Sequence, residues 1–304
     1  MMIDDDKGFD KMKHKKKILI TGKDSYIGRA VKAWLMKGEQ QVVIDEVCVK
    51  GDEWRKVDFS IYDVVFHVAG IAHSDTGKAT NEKKALYYAV NTDLTIEVAK
   101  KAKFEGVGQF IFMSSMIVYG DAAPFGVMKR IGADTVLNPS NFYGDSKRQA
   151  EVGLTALKAD DFRVAFIRPP MIYGKDSKGN YPRLAKLAKR LPLFPDVDNE
   201  RSMLHIDNLC EFVSLVIRHG DEGVFHPQNA QYVKTSDMVT TIAAVYGKKM
   251  YVTPIFNQVL KLLGRHVGIV NKVFGNLSYD LTLSAYKEDY RVRDFKESIT
   301  LTEK

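Results

Sequence analysis

Cysteine is scarce, with only Cys48 and Cys210 among 304 residues. Far apart and without metal-ligand spacing, they exclude a disulfide framework and a cysteine-based metal centre, and suit a reducing compartment. Long apolar runs are missing as well. None approaches the roughly eighteen residues that span a bilayer, and no signal peptide is visible, so a cytoplasmic protein without a membrane span is expected. Aromatics are absent from the one basic run, Lys11, Lys13, Lys15, Lys16 and Lys17. Despite a net charge of +7, that run reads as a solvated tail, and no nucleic-acid partner is expected. Residues 1–16 are expected to be disordered and to lie outside the fold. No internal repeat or low-complexity tract stands out.

What remains is ordinary globular composition, 45% hydrophobic and 27% charged, in a chain long enough for one large domain or two modest ones. Lys17-Ile18-Leu19-Ile20-Thr21 reads as a short buried strand. It enters a turn, Gly22-Lys23-Asp24-Ser25-Tyr26-Ile27-Gly28, and then an amphipathic helix, Ile27 to Lys37. Such a turn gathers backbone amides and the positive end of a helix where a pyrophosphate can sit. Ser25 stands where a middle glycine would give the backbone freer approach, and its hydroxyl could bond a phosphate.

A second strand falls within Gln41 to Val49. An acidic residue at its end would bind ribose hydroxyls and select NAD. Asp45 lies at the usual distance, but the strand can run on to Cys48. With Cys48 at the ribose position and Lys50 beside it, NADP becomes plausible. Tyr62 to Gly70 and Gln109 to Ser115 are further buried strands, separated by a long helix, Asn81 to Lys103. Phe162 to Ile167 is another strand, ended by Arg168-Pro169-Pro170. Strands alternating with helices predict an α/β fold, a doubly wound parallel sheet of Rossmann type. Ligands belong at its carboxyl ends, where Gly22, Gly70, Ser115 and Pro170 fall. Beyond Pro170 the texture changes to a smaller, mostly helical substrate-binding region. The dinucleotide-binding domain is read as 17–170 with 204–226 returning to it, and the substrate-binding domain as 171–203 with 227–304. Within the latter, Thr253 to Phe274 is apolar with interspersed basic residues; it reads as a buried lid or packing helix, with an interfacial membrane helix as the alternative.

Tyr143 and Lys147 are four residues apart. In a helix they share a face, and the ammonium would favour ionisation of a phenol whose free pKa is near 10. Tyr-x-x-x-Lys is a common accident; its weight comes from the strand-turn-helix opening and the strand ending in Ser114-Ser115 upstream.

The motifs together resemble the extended short-chain dehydrogenase/reductase family, the nucleotide-sugar epimerases and dehydratases. Those that carry the likeness are Thr21-Gly22-x-x-Ser25-x-Ile27-Gly28, His67-Val68-Ala69-Gly70, Ser114-Ser115-x-x-Val118-Tyr119-Gly120, Tyr143-x-x-x-Lys147, Arg168-Pro169-Pro170-x-x-Tyr173-Gly174 and Arg201-x-x-x-His205-Ile206-Asp207. They run in the family's order from residue 17 to about 210. The resemblance implies that Gly22, Ser25, Tyr26, Ile27 and Gly28 cradle the dinucleotide phosphates and that Asp58 and Phe59 line the adenine. Ala69, Gly70 and Asn91 would pass close to the cofactor. Tyr143 would be the proton shuttle, Lys147 would hold the nicotinamide ribose, and Ser115 would bond the sugar C4 oxygen. Asn180 and Arg201 would hold the substrate diphosphate, a planar guanidinium suiting paired phosphate oxygens.

Departures from sister groups narrow the reaction. Family members that eliminate water place Asp-Glu directly after the catalytic Ser/Thr, whereas here Met116-Ile117 can move no proton. Members that epimerise at C3 or C5 use Cys or His near this position. The expectation is therefore a nucleotide-sugar 4-epimerase on a UDP-hexose or UDP-N-acetylhexosamine, serving surface-polysaccharide assembly, with NAD and with NADP left open. The alternative is an NAD(P)H-dependent UDP-4-keto-6-deoxy-hexosamine 4-reductase. A dinucleotide sensor without catalysis is disfavoured by the presence of Ser115, Tyr143 and Lys147 together. A homodimer is expected, since the helices Asn81–Lys103 and Tyr143–Ala159 carry more apolar positions than one sheet face can cover.

Overall fold

A computed structural model describes residues 15–38, 42–72, 79–263 and 268–304. The disorder expected of the N-terminal tail thus concerns residues nearly all outside the described ones. The centre is a six-stranded, all-parallel sheet of β1 (Lys16–Thr21), β2 (Val42–Val47), β3 (Val64–His67), β4 (Gln109–Met113), β6 (Arg163–Ile167) and β10 (Gly223–Phe225). Their order across the sheet is β10-β6-β4-β3-β1-β2. Side chains of these strands alternate strictly between two cores, as the strand period of two requires. Ile18, Ile20, Val64, Phe66, Ile111, Ala165 and Ile167 face one; Leu19, Val65, Phe110, Phe112, Val164 and Phe166 face the other. The first core is closed by α1 (Tyr26–Lys37) and α6 (Ile206–His219), the second by α3 (Leu94–Phe104) and α4 (Phe142–Thr155). Burial on both faces is why the strands read as continuous apolar runs.

The long helix expected from Asn81 is interrupted. It runs as α2 (Asn81–Tyr88), a π-helical turn at Ala89–Asp93, and α3. Three two-stranded parallel ribbons lie outside the sheet, pairing β5 (Arg130–Ile131) with β12 (Ser278–Tyr279), β7 (Met171–Tyr173) with β9 (Met203–His205), and β8 (Leu193–Pro195) with β11 (Tyr251–Thr253). A third core gathers α5 (Tyr181–Arg190), α7 (Thr235–Val245) and α10 (Phe295–Glu303) around Tyr173, Val239, Ile242 and Ile299.

The expectation of a buried lid over Thr253–Phe274 is only half right. The segment forms α8 (Asn257–Leu263) and α9 (Gly268–Phe274). Val270 and Phe274 of α9 enter the third core, but α8 buries no residue fully. Among the described residues no helix is long and apolar enough to cross a membrane.

The chain's direction across the sheet reverses between β1 and β3, and their carboxyl ends come unusually close. Gly22 has φ +102°, and a Cβ there would lie 2.8 Å from the Ala69 nitrogen. Gly51 also has a positive φ, +72°, with open space around it. Gly22→Ala should therefore cost the strain of its backbone conformation, about 1–3 kcal/mol, plus a backbone collision; Gly51→Ala should cost the strain alone. Denaturant melts of both variants check this, Gly22→Ala unfolding at clearly lower denaturant; equal midpoints would contradict the close approach.

Candidate active site

The Asn141 side chain accepts the Gly144 N–H at 3.0 Å and caps α4, placing Tyr143 and Lys147 one turn apart at its start. Lys147 is buried. Its ammonium donates to the Met113 carbonyl at the end of β4, 2.8 Å away, and lies 4.5 Å from the centre of the Phe112 ring. Opposite stands Gly70: a Cβ there would be 3.3 Å from Lys147 Nζ and 3.1 Å from Asn91 Oδ1. Only glycine leaves that corner open.

Asn91 sits inside the π turn, a distortion that often marks functional sites. It accepts the Ile71 N–H at 2.8 Å and donates to the Ile71 carbonyl and to Ser146 Oγ, both at 3.1 Å. Thr92 next to it donates to the Ser146 carbonyl at 2.7 Å. The π turn thus clamps the loop after β3 to the first turn of α4.

Ser115 closes β4 and caps a single 3₁₀ turn, Met116–Tyr119. Its hydroxyl bonds the Tyr143 phenol and favours the ionised form, but burial outweighs it; with Tyr87 adding, the phenol is pushed up to about 12. The ammonium of Lys147 is aimed at the Met113 carbonyl. Burial also pushes Lys147 down to about 8, with Glu151 opposing.

Glu151 is a residue that the sequence reading missed. One turn beyond Lys147, its buried carboxylate accepts from Ser114 Oγ at 2.5 Å and from Arg168 Nε and Nη2 at 3.0 and 2.5 Å. Arg168 also donates to the Tyr119 hydroxyl at 2.6 Å, which in turn meets His226 at 2.8 Å. In sequence Arg168 shows only as the head of the Arg168-Pro169-Pro170 strand end and motif; a charged residue at the carboxyl end of a buried strand is the signal for its role here.

At the nucleotide turn, Ser25 Oγ accepts the Gly28 N–H at 3.1 Å, so it caps α1 while its proton is left to donate. A Cβ on Gly28 would meet Ser25 Oγ at 2.6 Å and Val68 at 3.3 Å. Ile27 packs on the first core, and the Tyr26 hydroxyl is buried without a partner, 2.6 Å from where a Cβ on Gly174 would be. The corner between Gly22, Gly28, Ala69 and Gly70 fits a dinucleotide: backbone exposed where side chains would block it, with a buried ammonium at one end.

The other residues expected near the cofactor are placed as follows. Asp45 is inside β2, paired in register with Leu19, and accepts the Tyr62 hydroxyl at 2.9 Å. The strand ends at Val47, so exposed Cys48 is the first residue beyond it. Asp58 is exposed and holds Ser60 at 2.6 and 2.9 Å. Phe59 is wholly buried in the second core, with its N–H given to Glu105 at 2.6 Å. Pro170 is buried beyond β6, and the Pro169 carbonyl accepts the Met116 N–H at 2.9 Å.

Arg201 donates to the Gly275 carbonyl at 2.9 Å, and burial pushes it down to about 10. Among the described residues no carboxylate pairs with it, whereas the neighbouring Asp207 is taken by Arg293 at 2.9 Å. A guanidinium in such a place without a counter-ion suits an anionic ligand. Asn180 is exposed at the N-terminus of α5, its side chain making no capping bond.

Comparison with known proteins places this geometry. The NAD dependent epimerase/dehydratase family model matches residues 18–229. The UDP-glucose 4-epimerase of Vibrio cholerae is 31% identical over 294 residues, 88% of each chain. A UDP-glucose 4-epimerase of Thermus thermophilus solved with NAD superposes with a TM-score of 0.68 at 19% identity, over 94% of this chain and 97% of that one. A dTDP-4-dehydrorhamnose reductase of Bacillus anthracis solved with NADP gives 0.62 at 17% identity, over 79% and 84%.

The buried ammonium makes stability depend on pH. Below pH 8 the folded protein bears the cost of burying charged Lys147 in full, roughly 3 kcal/mol at about 1.4 kcal/mol per unit. Between pH 8 and the ordinary value of 10.5 the unfolded chain binds more protons, and that cost fades. Lys147→Met should thus gain stability relative to the parent at pH 7, and most of that relative gain should be gone at pH 10. Denaturant melts at both pH values check it; a difference that does not change with pH would refute the assignment.

Proposed function

The chain belongs to the NAD dependent epimerase/dehydratase family and is an NAD(P)-dependent sugar-nucleotide epimerase or reductase; from that premise we propose that it is a nucleotide-sugar 4-epimerase acting on a UDP-hexose or UDP-N-acetylhexosamine. One observation supports the reading: among the described residues, Tyr143 is the group placed to shuttle a proton. Tyr143 and Ser115 meet, while Met116 turns into an apolar cluster with Val118, Tyr119, Ile131 and Tyr279. The one carboxylate close by, that of Glu151, is consumed by Ser114 and Arg168. Elimination of water needs a second acid or base beside the sugar, and the described residues supply none.

In this mechanism Tyr143 takes the C4 hydroxyl proton and later returns it, while Ser115 holds the C4 oxygen. A phenol near 12 is a poor base at neutrality, so positive charge must draw off its proton; Lys147, on the same helical face, is the ammonium placed to help. Lys147 would also hold the nicotinamide ribose, Gly22, Gly28, Ala69 and Gly70 would admit the dinucleotide backbone, and Arg201 with Asn180 would take the substrate diphosphate. Bound NAD supplies the hydride acceptor at C4. Rotation of the 4-keto sugar before the hydride returns then inverts the carbon. A second reading, reduction of a 4-keto sugar, is favoured by the end of β2, where Cys48 and Lys50 replace an acidic residue and admit NADP.

Incubation with UDP-glucose and UDP-N-acetylglucosamine should yield the 4-epimer with no net change in dinucleotide; stoichiometric consumption of NADPH by a 4-keto sugar, with no epimer formed, would select the reductase. Tyr143→Phe should lower kcat at least about 10²-fold with dinucleotide retained, whereas Lys147→Met should harm both. Near-normal turnover in Tyr143→Phe would make the tyrosine structural.

The assembly proposed is a homodimer joined through α2, α3 and α4. Leu86 on α2 and Val152 on α4 are exposed, and a two-fold axis would cover them with the same helices of a second copy. Light scattering should give a dimer at micromolar concentration and a monomer for Leu86→Glu/Val152→Glu; a fully active parent monomer would rule it out.

A further inference from the structure

The 3₁₀ turn at Pro254–Phe256 and α8 carry an apolar stripe on the wrong side for a globular protein. Ile255, Val259, Leu262 and Leu263 recur at helical spacing i, i+4, i+7 and i+8, so they share one face. That face looks outward: the four are 73%, 56%, 62% and 42% exposed. Phe256 joins them, while Leu260, on the opposite side, is the residue of α8 that packs against the third core. The patch continues onto the neighbouring ribbon, where Tyr251 and Leu193 are register partners and both exposed, with Leu191 exposed beside them.

Along the chain the charge around the stripe is of one sign. From residue 238 to residue 279 the sequence contains no aspartate or glutamate, but it includes Lys248, Lys249, Lys261 and Lys272. Lys249 lies 4.9 Å from the centre of the Tyr251 ring, and Lys248 donates to the Lys189 carbonyl at the end of α5. Of the acids on the neighbouring loop, one is paired with a lysine and the other is held by neutral groups. Asp196 accepts from Ser236 and through its carbonyl from Asn257, and Asp198 pairs with Lys234.

We propose that the exposed stripe of residues 255–263, with its lysine rim, docks the protein reversibly on an anionic membrane surface. A helix of this kind lies in the plane of the interface with its apolar face some 5–10 Å into the headgroup boundary, and lysines beside it add attraction to anionic lipids. A second copy fits less well, because a two-fold contact would set one lysine-rimmed patch against another. Docking needs no spanning helix and leaves the catalytic cleft built as described.

The test is sedimentation of the full chain with vesicles of phosphatidylcholine alone and of phosphatidylcholine mixed with phosphatidylglycerol. Binding is expected to the mixed vesicles only, and to fall as salt rises. Val259→Ser/Leu262→Ser should abolish it, and Lys248→Gln/Lys249→Gln should weaken it roughly fivefold for each lysine. Both variants should turn over soluble nucleotide sugar at the parent rate, which shows that they fold. Failure of the parent to sediment with anionic vesicles, or unchanged binding by Val259→Ser/Leu262→Ser, would overturn the proposal. So would light scattering in which Val259→Ser/Leu262→Ser alone converts a dimer to a monomer, since the patch would then cover a second copy.

Discussion

Lys147 and Glu151, buried and one helical turn apart, fix α4 to the carboxyl edge of the sheet. Removing two charges from water costs several kcal/mol for each, and the cost is met only where every donor and acceptor finds a partner. Lys147 finds the Met113 carbonyl; Glu151 finds Ser114 and the fork of Arg168. Arg168 then reaches Tyr119, and its own carbonyl accepts the Tyr279 hydroxyl at 2.8 Å. The ends of β4 and β6, the 3₁₀ turn and the C-terminal region are thereby tied to the helix that carries Tyr143. Loss of Arg168 would leave the Glu151 carboxylate uncompensated in the interior, so this part of the molecule has little freedom to shift the phenol relative to Ser115. His226, at the end of the network, is held neutral by burial, which pushes it down to about 4.

That rigidity has an electrostatic consequence. Burial biases both working groups towards their neutral forms, the phenol upward and the ammonium downward. A tyrosine near 12 and a lysine near 8 do not form an ion pair of their own accord; the lysine contributes to proton transfer only in so far as its charge is brought to bear on the phenol. The open corner at Gly70 lies between Lys147 and Asn91, so whatever fills it meets the ammonium directly. The same glycine that admits a ligand therefore also admits the influence that tunes the base.

Much of the sheet was legible because its strands are buried on both faces and read as apolar runs closed by glycine or serine. Tyr143, Lys147 and Ser115 were legible through spacing and order. Other features were not. Glu151, Ser114 and Arg168 come from three elements, and no local pattern announces that they meet. Asp45 and Cys48 differ by three residues, and only the pairing of Thr21 with Val47 shows where the strand stops. Phe59 follows a plausible adenine contact, yet its size and apolarity draw it into the core. For Arg201 the informative fact is that no carboxylate among the described residues pairs with it, and an absence of that kind is visible only in three dimensions.

The apolar segments after residue 250 and on α2 and α4 show a different limit. Periodicity tells which residues share a helix face, but it has the same value whether that face meets a core, a partner or a membrane. Exposure separates the first case from the others, and charge separates the remaining two. Around Leu86 and Val152 both signs are present, with Glu82, Lys83, Lys84, Asp145 and Arg148 on the same helices, Asp145 bonding Arg148 and Tyr88. Such a surface can meet its own copy without repulsion. Around Ile255 and Val259 the flanking charges of the segment itself are basic, and self-contact is penalised while an anionic sheet of lipid headgroups is favoured. Two apolar faces of similar composition thus call for different partners, and the residues that decide between them are the polar ones at their margins.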